Sequence, residues 1–139
     1  MKIVLDTNCL LQIIPRKAKH RWLFDMIKSG DVHLSMTSEI WSEYEEQLAM
    51  FYSPVVADGV LQIFHTLQNV AYIQVYYKWN LITADPDDNK FSDCAIAAGA
   101  DYLVTYDKHF KALAETEFPK VSCISLEALK EILSPDGVV

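Results

Sequence analysis

The stretch that opens at Asp85 constrains the fold of this chain most, because acidic residues stand where its elements begin and end. Asp85, Asp88 and Asp93 precede or open a predicted helix, and Gly99 is a residue type suited to end it. A strand-like apolar run over residues 102–105 follows. The stretch therefore predicts a turn, a short helix, a tight glycine turn and a buried strand.

Two further acids come directly after predicted strands. Asp107 follows the strand just described, and Asp6 follows Lys2–Leu5, a short apolar run typical of a strand buried on both faces. Carboxylates that gather at the carboxyl ends of parallel strands repel one another unless a cation lies between them. A metal site is therefore the first hypothesis. The simpler alternative for Asp6 is an N-cap for the helix that starts near Cys9.

The rest of the chain alternates between strand-like and helix-like patterns. This order predicts an α/β fold, a three-layer α/β/α arrangement with a central parallel sheet and right-handed crossovers, formed by residues 1–139 as a single domain. Residues 70–82 lack a clear period, and we expect an irregular or edge-strand connection there. Further strands are predicted at 32–36 and 121–124, and further helices at 9–14, 18–30, 39–50, 54–69 and 110–113 and after Ser125, the last stopping before Pro135.

Composition limits the class of protein. The net charge of −7 argues against non-specific nucleic-acid binding through the whole surface, although acids in a metal site would inflate that value. The three cysteines form no C-x-x-C pair, which indicates buried thiols in a reducing compartment. No apolar run is long enough for a membrane helix, and no signal peptide precedes the first strand. We therefore expect a cytoplasmic protein with no membrane partner.

Glu43 belongs to a strongly amphipathic predicted helix. Ile40, Tyr44 and Leu48 share its apolar stripe, and Glu43 stands at the edge of that stripe, from which it could lean towards the sheet. The alternative is one more solvated surface glutamate.

The only basic cluster lies between the first two predicted helices. Its position soon after Asp6 allows a phosphate-contacting patch beside the metal site, and the alternative is a solvated helix start. The cluster comprises Arg16, Lys17, Lys19 and Arg21.

Aromatic residues concentrate in the irregular connection. Tyr76, Tyr77 and Trp79 could stack on unpaired bases if they are exposed, and ordinary packing is the alternative.

Three motifs occur in an order that resembles the PIN-domain family, and in particular toxin components of toxin–antitoxin pairs. They are Ile-Val-Leu-Asp-Thr-Asn at residues 3–8, Ser-Glu-Ile-Trp-Ser-Glu-Tyr-Glu at 38–45, and the acid-rich stretch 85–95 that runs on to 101–107. The first motif alone would be weak, whereas the ordered set is specific and covers essentially the whole chain.

The resemblance implies a metal-dependent ribonuclease. It implies a site for one or two Mg²⁺ or Mn²⁺ ions held by Asp6, Glu43, Asp93 and Asp107, with Asp88 as a fifth member or a helix cap and with Asn8 and Thr105 lining the same crevice. It also implies an RNA substrate, an antitoxin partner and a homodimer. The chain departs from the family pattern at Asp93, where Glu is frequent, and at Tyr106, where Gly is frequent.

Three other functions are compatible with parts of the pattern. A haloacid-dehalogenase-type phosphotransferase needs a second acid two positions after the first, where this chain has Asn8, and a receiver-type phosphoacceptor needs a late-strand lysine that is absent. The third alternative is a non-catalytic protein of the PIN fold that engages an antitoxin or RNA without cleavage. The intact set of acids favours the nuclease.

Overall fold

The structure is a computed structural model that describes residues 1–134. It contains strands and helices in alternation, with two one-turn 3₁₀ helices at Pro86–Asp88 and Lys108–Phe110. The strands are β1 (Lys2–Leu5), β2 (His33–Met36), β3 (Val70–Tyr72), β4 (Tyr102–Val104) and β5 (Cys123–Ile124). The helices are α1 (Thr7–Ile13), α2 (Arg21–Ser29), α3 (Ser38–Phe51), α4 (Pro54–Thr66), α5 (Asn89–Ala98), α6 (Lys111–Ala114) and α7 (Leu126–Leu133).

The five strands form one parallel sheet in the order β3-β2-β1-β4-β5. β2 and β3 lie on one side of β1, and β4 and β5 lie on its other side. With right-handed crossovers, this order is expected to place α1–α4 on one face of the sheet and α5 and α6 on the opposite face. The prediction of an α/β fold with a central parallel sheet is confirmed. The order also makes β1 and β4 neighbours, with Leu5 beside Val104.

The sheet forms because its central strands are apolar on both faces. Ile3, Val4 and Leu5 of β1 are fully buried, as are Leu103 and Val104 of β4. A strand covered by helices on both sides cannot alternate apolar and polar residues, which explains the continuous apolar runs in the sequence.

Capping residues set several helix boundaries. Thr37 accepts a hydrogen bond from Ile40 N, Ser53 from Val56 N and Ser125 from Ala128 N. Gly99 ends α5 with a φ of 63°, a left-handed conformation that glycine adopts without a steric cost. Within the described part of the chain, no helix is both long and apolar enough to span a membrane.

The connection after β3 is the main irregular part of the described chain. Only Val70–Tyr72 is a strand, and residues 73–82 have no regular structure, as expected for a segment without a clear period. Side chains of α5 hold this segment: Asn89 exchanges two hydrogen bonds with the Ile82 backbone, at 2.8 and 2.9 Å, and Asp93 accepts one from Trp79 N. The predicted last strand is shorter than expected, and Pro135 lies outside the described residues.

Removal of the Tyr44 hydroxyl is expected to destabilise the fold. This side chain is fully buried on α3, and its hydroxyl donates to the Leu5 carbonyl at the end of β1. Tyr44→Phe leaves that buried carbonyl without the hydroxyl, so we expect a loss of about 1–2 kcal/mol in the free energy of unfolding, measured by urea denaturation. Tyr52→Phe is the control, because its hydroxyl bonds to Leu11 O in a half-buried place and its loss should cost less. Equal losses would contradict this account.

Candidate metal centre

Asp6 occupies the N-cap position of α1, directly after β1. Its backbone carbonyl accepts from Cys9 N and Leu10 N, but its side chain makes no capping hydrogen bond. The carboxylate points instead to the end of β4, where Oδ2 accepts a 2.8 Å hydrogen bond from Thr105 Oγ1. The backbone thus begins the helix while the buried carboxylate remains available at the carboxyl edge of the sheet.

Asp107 lies across from Asp6, held by the same threonine. Asp107 N donates to Thr105 Oγ1 at 3.0 Å, so one hydroxyl connects both acids. The Asp107 carboxylate accepts from His109 N at 2.8 Å through Oδ1 and caps the one-turn helix that follows β4. Thr105 therefore lies between the two acids.

Glu43 reaches the same region from α3. Thr7 Oγ1 donates to Glu43 Oε2, and Lys90 Nζ lies 2.7 Å from Oε1. The same ammonium lies 2.9 Å from Asp87 Oδ2. Burial alone would lower the pKa of Lys90, but its hydrogen bonds to Glu43 and Asp87 raise it overall, so the lysine stays charged. Glu43 is therefore a carboxylate whose charge is already compensated within the protein.

Asp88 joins the group from the 3₁₀ turn that precedes α5. Its Oδ2 is buried, makes no hydrogen bond and lies 3.4 Å from His109 Nδ1, which also lacks a hydrogen-bond partner. One ligand atom from each of Asp85, Asp88 and His109 lies within 4.8 Å of the others. Orphaned buried atoms of these types can be satisfied by a cation.

The charges of this group destabilise one another. Burial raises the pKa of Asp6, partly offset by the Thr105 hydrogen bond, and the charges of Asp107 and Glu43 raise it further. Burial and the charges of Asp107 and Asp85 raise the pKa of Asp88 to about 6. A divalent cation among these oxygen atoms would remove the repulsion, and hard oxygen ligands are the set that Mg²⁺ and Mn²⁺ take. The residues present therefore fit such an ion.

The structure places Asp93 apart from these acids. Asp93 lines a cavity that adjoins the acid group, and the charged groups that act on its carboxyl are Lys78 and Glu39. Asp88 and Asp93 are five positions apart, which is about 140° around an α-helix, so their side chains leave the helix in different directions. Asp6, Glu43, Asp88 and Asp107 therefore lie in one region. Asp93 was expected in the same group, but its side chain lies apart from Asp6 and Asp107.

Asn8 directly follows Thr7 in the chain, and Tyr106 directly precedes Asp107. The Asn8 side chain is exposed and forms no hydrogen bond within residues 1–134. Tyr106 is 46% exposed, and its hydroxyl donates to Glu127 Oε1 at 2.5 Å. The ring that replaces the frequent glycine is therefore fixed to α7.

The basic cluster divides into engaged and free cations. Arg21 donates to the Ile14 carbonyl and pairs with Asp25, and Lys19 lies 3.8 Å from Glu127. The side chains of Arg16 and Lys17 are exposed and form no ion pair within the described residues. Only these two have the free charge that a phosphate contact needs.

The sequence reasoning missed Lys90, His109 and Asp87 as members of this region. His109 could have been noticed because it stands two positions after Asp107, within the same turn. Lys90 pairs with Asp87 one helical turn earlier, but its contact with Glu43 depends on the packing of α3 near α5, which no local pattern reveals.

Neutralisation of Asp88 is expected to stabilise the metal-free protein. The pKa of Asp88 is raised from 3.8 to about 6, so the folded state binds its proton more tightly than the unfolded state does. Ionisation above pH 6 therefore lowers the free energy of unfolding, and Asp88→Asn should raise the melting temperature at pH 7.5 by about 2–4 °C. The difference should shrink as the pH falls from 6 towards 4.

Asp58→Asn is the matched control, because Asp58 is exposed on α4 and should change the melting temperature little at any pH. A lower melting temperature for Asp88→Asn in chelator would contradict the electrostatic account.

Comparison with known proteins agrees with this architecture. Residues 2–109 match the family model described as PIN domain. A chain of VapBC2 from Rickettsia felis, in a crystal structure with a promoter DNA fragment, superposes with a TM-score of 0.61 at 18% identity, covering 90% of this chain and 98% of that one. A chain of DNA-bound VapBC from Salmonella typhimurium gives a TM-score of 0.54 at 16% identity, covering 91% and 98%. No curated protein matches significantly. These structures show a shared fold, and the family match shows that this chain belongs to the PIN-domain family.

Proposed function

We propose that this protein is a metal-dependent endoribonuclease that hydrolyses phosphodiester bonds of RNA. The observation that carries the proposal is a group of acids at the carboxyl edge of the sheet: Asp6, Asp88 and Asp107 interact electrostatically, and the buried Asp88 Oδ2 has no hydrogen bond and lies close to Asp85 and His109. Membership of the PIN-domain family supports it. A bound Mg²⁺ or Mn²⁺ would supply an activated water and neutralise charge on the phosphate.

The chain's own residues have distinct roles in this proposal. Asp6, Asp88 and Asp107 are the direct ligands, and Thr105 holds Asp6 and Asp107 in fixed orientation, a contribution that such supporting contacts make in many metal sites. Glu43 orients Lys90, whose ammonium stands beside the acids and can contact a phosphate oxygen. Asp88 takes the place that the family resemblance gave to Asp93.

We propose that the protein is the toxin of a toxin–antitoxin pair. The two similar structures are VapBC complexes that hold DNA, which supports an antitoxin partner for this chain too. An antitoxin segment with an Arg or Lys could enter the crevice and pair with its carboxylates. Free Cys9, Cys94 and Cys123 fit a cytoplasmic setting, where thiols stay reduced.

The junction of α3 and α4 supports a homodimer. Met50, Phe51 and Val55 are 73%, 66% and 80% exposed there, a concentration of apolar surface that a second copy could cover.

The second candidate function is binding without cleavage. The observation that favours it is Lys90, whose ammonium already neutralises Glu43 and so reduces the need for a metal on that side of the site. The two functions differ in whether metal-dependent RNA cleavage occurs.

Asp6→Asn is expected to abolish cleavage while the fold remains intact. The variant keeps the shape of the side chain but removes a buried charge that a cation needs, so we expect the rate to fall at least about 100-fold. The measurement is cleavage of structured and single-stranded RNAs in Mg²⁺, in Mn²⁺ and in chelator, with Asp58→Asn as the control. Cleavage in chelator, or wild-type cleavage by Asp6→Asn, would contradict the proposal.

The free part of the basic cluster is expected to contact RNA phosphates. Arg16 and Lys17 are both replaced by Gln. The slope of the logarithm of the RNA-binding constant against the logarithm of the salt concentration should become less steep by about 1.4, because each phosphate contact to a single strand contributes about 0.7. Binding is measured in chelator to prevent cleavage. The matched control replaces Lys111 and Lys120, which are also exposed and unpaired within residues 1–134, and should leave the slope unchanged. If both double variants have the same salt dependence of RNA binding, the basic cluster does not contact RNA phosphates and the proposal for it is wrong.

A further inference from the structure

A cavity of about 810 Å³ adjoins the acid group. Binding sites for small molecules have volumes of about 300–1,000 Å³, so a nucleotide fits its size. Lys90 and Asp87 line the cavity, and Lys90 Nζ also contacts Glu43 at 2.7 Å. A chain of RNA with a phosphate at the acids could therefore place a neighbouring base in this cavity.

Aromatic side chains form part of the cavity wall. Trp41 of α3 and Tyr72 of β3 contact each other edge to face, with ring centres 5.6 Å apart and planes at 62°. Tyr72 is 50% exposed and lies beside the half-buried Trp41. Exposed rings of this kind bind unpaired bases by stacking.

The carboxylate of Asp93 supplies a buried acceptor to the same cavity. Asp93 is only 5% exposed, and its Oδ1 accepts from Trp79 N at 3.1 Å. Within residues 1–134, Oδ2 has no hydrogen-bond partner. One oxygen thus anchors the irregular segment 73–82, while the other is left for a donor that enters the cavity. The residue as a whole is buried, but Asp93 Oδ2 is not among the fully buried atoms that lack a partner, so a donor in the cavity can reach it.

Lys78 and Asn80 face the cavity from the irregular segment, whereas Tyr77 and Trp79 do not line it. Asn80 has a φ of 53°, a left-handed conformation, so the backbone turns at this residue. Lys78 forms no ion pair within the described residues, although its charge acts on Asp93. The cavity is therefore lined by an unpaired cation, Lys78, and by the carboxylate of Asp93.

We propose that this cavity binds a single unpaired guanine base of the RNA substrate, with Asp93 accepting hydrogen bonds from the base. This deepens the nuclease function proposed above and rests on it. Guanine carries two adjacent donor groups, N1–H and the N2 amino group, on one edge, which match a carboxylate. Adenine presents an acceptor at N1, which a carboxylate repels, and hypoxanthine lacks the N2 amino group. Lys78 and Asn80 supply donors for the guanine carbonyl and the phosphate.

The test is equilibrium binding of GMP, IMP and AMP to the full chain in chelator, followed by tryptophan fluorescence. GMP should bind at least about 10-fold more tightly than AMP, because hydrogen bonds to a charged group are worth more than neutral ones, and IMP should lie between them. This comparison uses the unaltered protein, so it does not depend on whether any variant folds. Equal affinities for GMP and AMP would overturn the proposal and leave the cavity to a partner's side chain.

Two matched variants separate the hydrogen bond from general charge. Asp93→Asn keeps an oxygen for Trp79 N but removes the anion, and it should abolish most of the preference for GMP over AMP. Glu39→Gln removes a charge from an exposed residue of the same cavity and should preserve that preference. A preference that falls equally in both variants would overturn the assignment to Asp93.

Cleavage mapping distinguishes failure of the inference from failure of the nuclease. Metal-dependent cleavage at all bases alike, with no GMP preference in binding, would overturn the guanine site and leave the nuclease intact. GMP preference without any cleavage would support the site and contradict the nuclease.

Discussion

Mutual repulsion of carboxylates at one edge of the sheet is the interaction on which the rest of this structure depends. The strand order puts β1 beside β4, so Asp6 and Asp107 must face each other across the carboxyl ends of two buried strands. Burial of the Asp6 carboxylate is the main reason why its pKa is raised, and the charges of Asp107 and Glu43 raise it further. The neighbouring polar groups hold the acids in place or compensate their charge.

Two kinds of contact act on the carboxylates of this group. One hydroxyl, that of Thr105, accepts from the backbone at Asp107 and donates to Asp6, so the two acids are oriented without being neutralised. Lys90, in contrast, neutralises Glu43 with a direct ion pair. Neither a hydroxyl bridge nor an ion pair with a lysine holds Asp88, and burial together with the charges of Asp107 and Asp85 raises its pKa to about 6.

Sequence reasoning succeeded where local pattern and sheet geometry decide the outcome. Asp6 and Asp107 could be placed because each follows an apolar run, and parallel strands bring such positions to one edge. Ser53 and Ser125 begin helices for a similarly local reason, because serine is a residue type suited to the N-cap position. The choice between Asp88 and Asp93 could not be made in this way, because both belong to one acidic helix start. Only the direction in which α5 meets the sheet separates them, and that direction comes from tertiary packing.

The central claim is that Asp6, Asp88 and Asp107 hold a divalent cation and Asp93 does not. Crystals of the protein soaked in Mn²⁺ test it most directly, because anomalous scattering locates the metal without reference to activity. The account predicts a peak within about 2.2 Å of carboxylate oxygens of Asp6, Asp88 and Asp107. A peak bound to Asp93 and not to Asp88, or no peak at the carboxyl edge of the sheet, would contradict it.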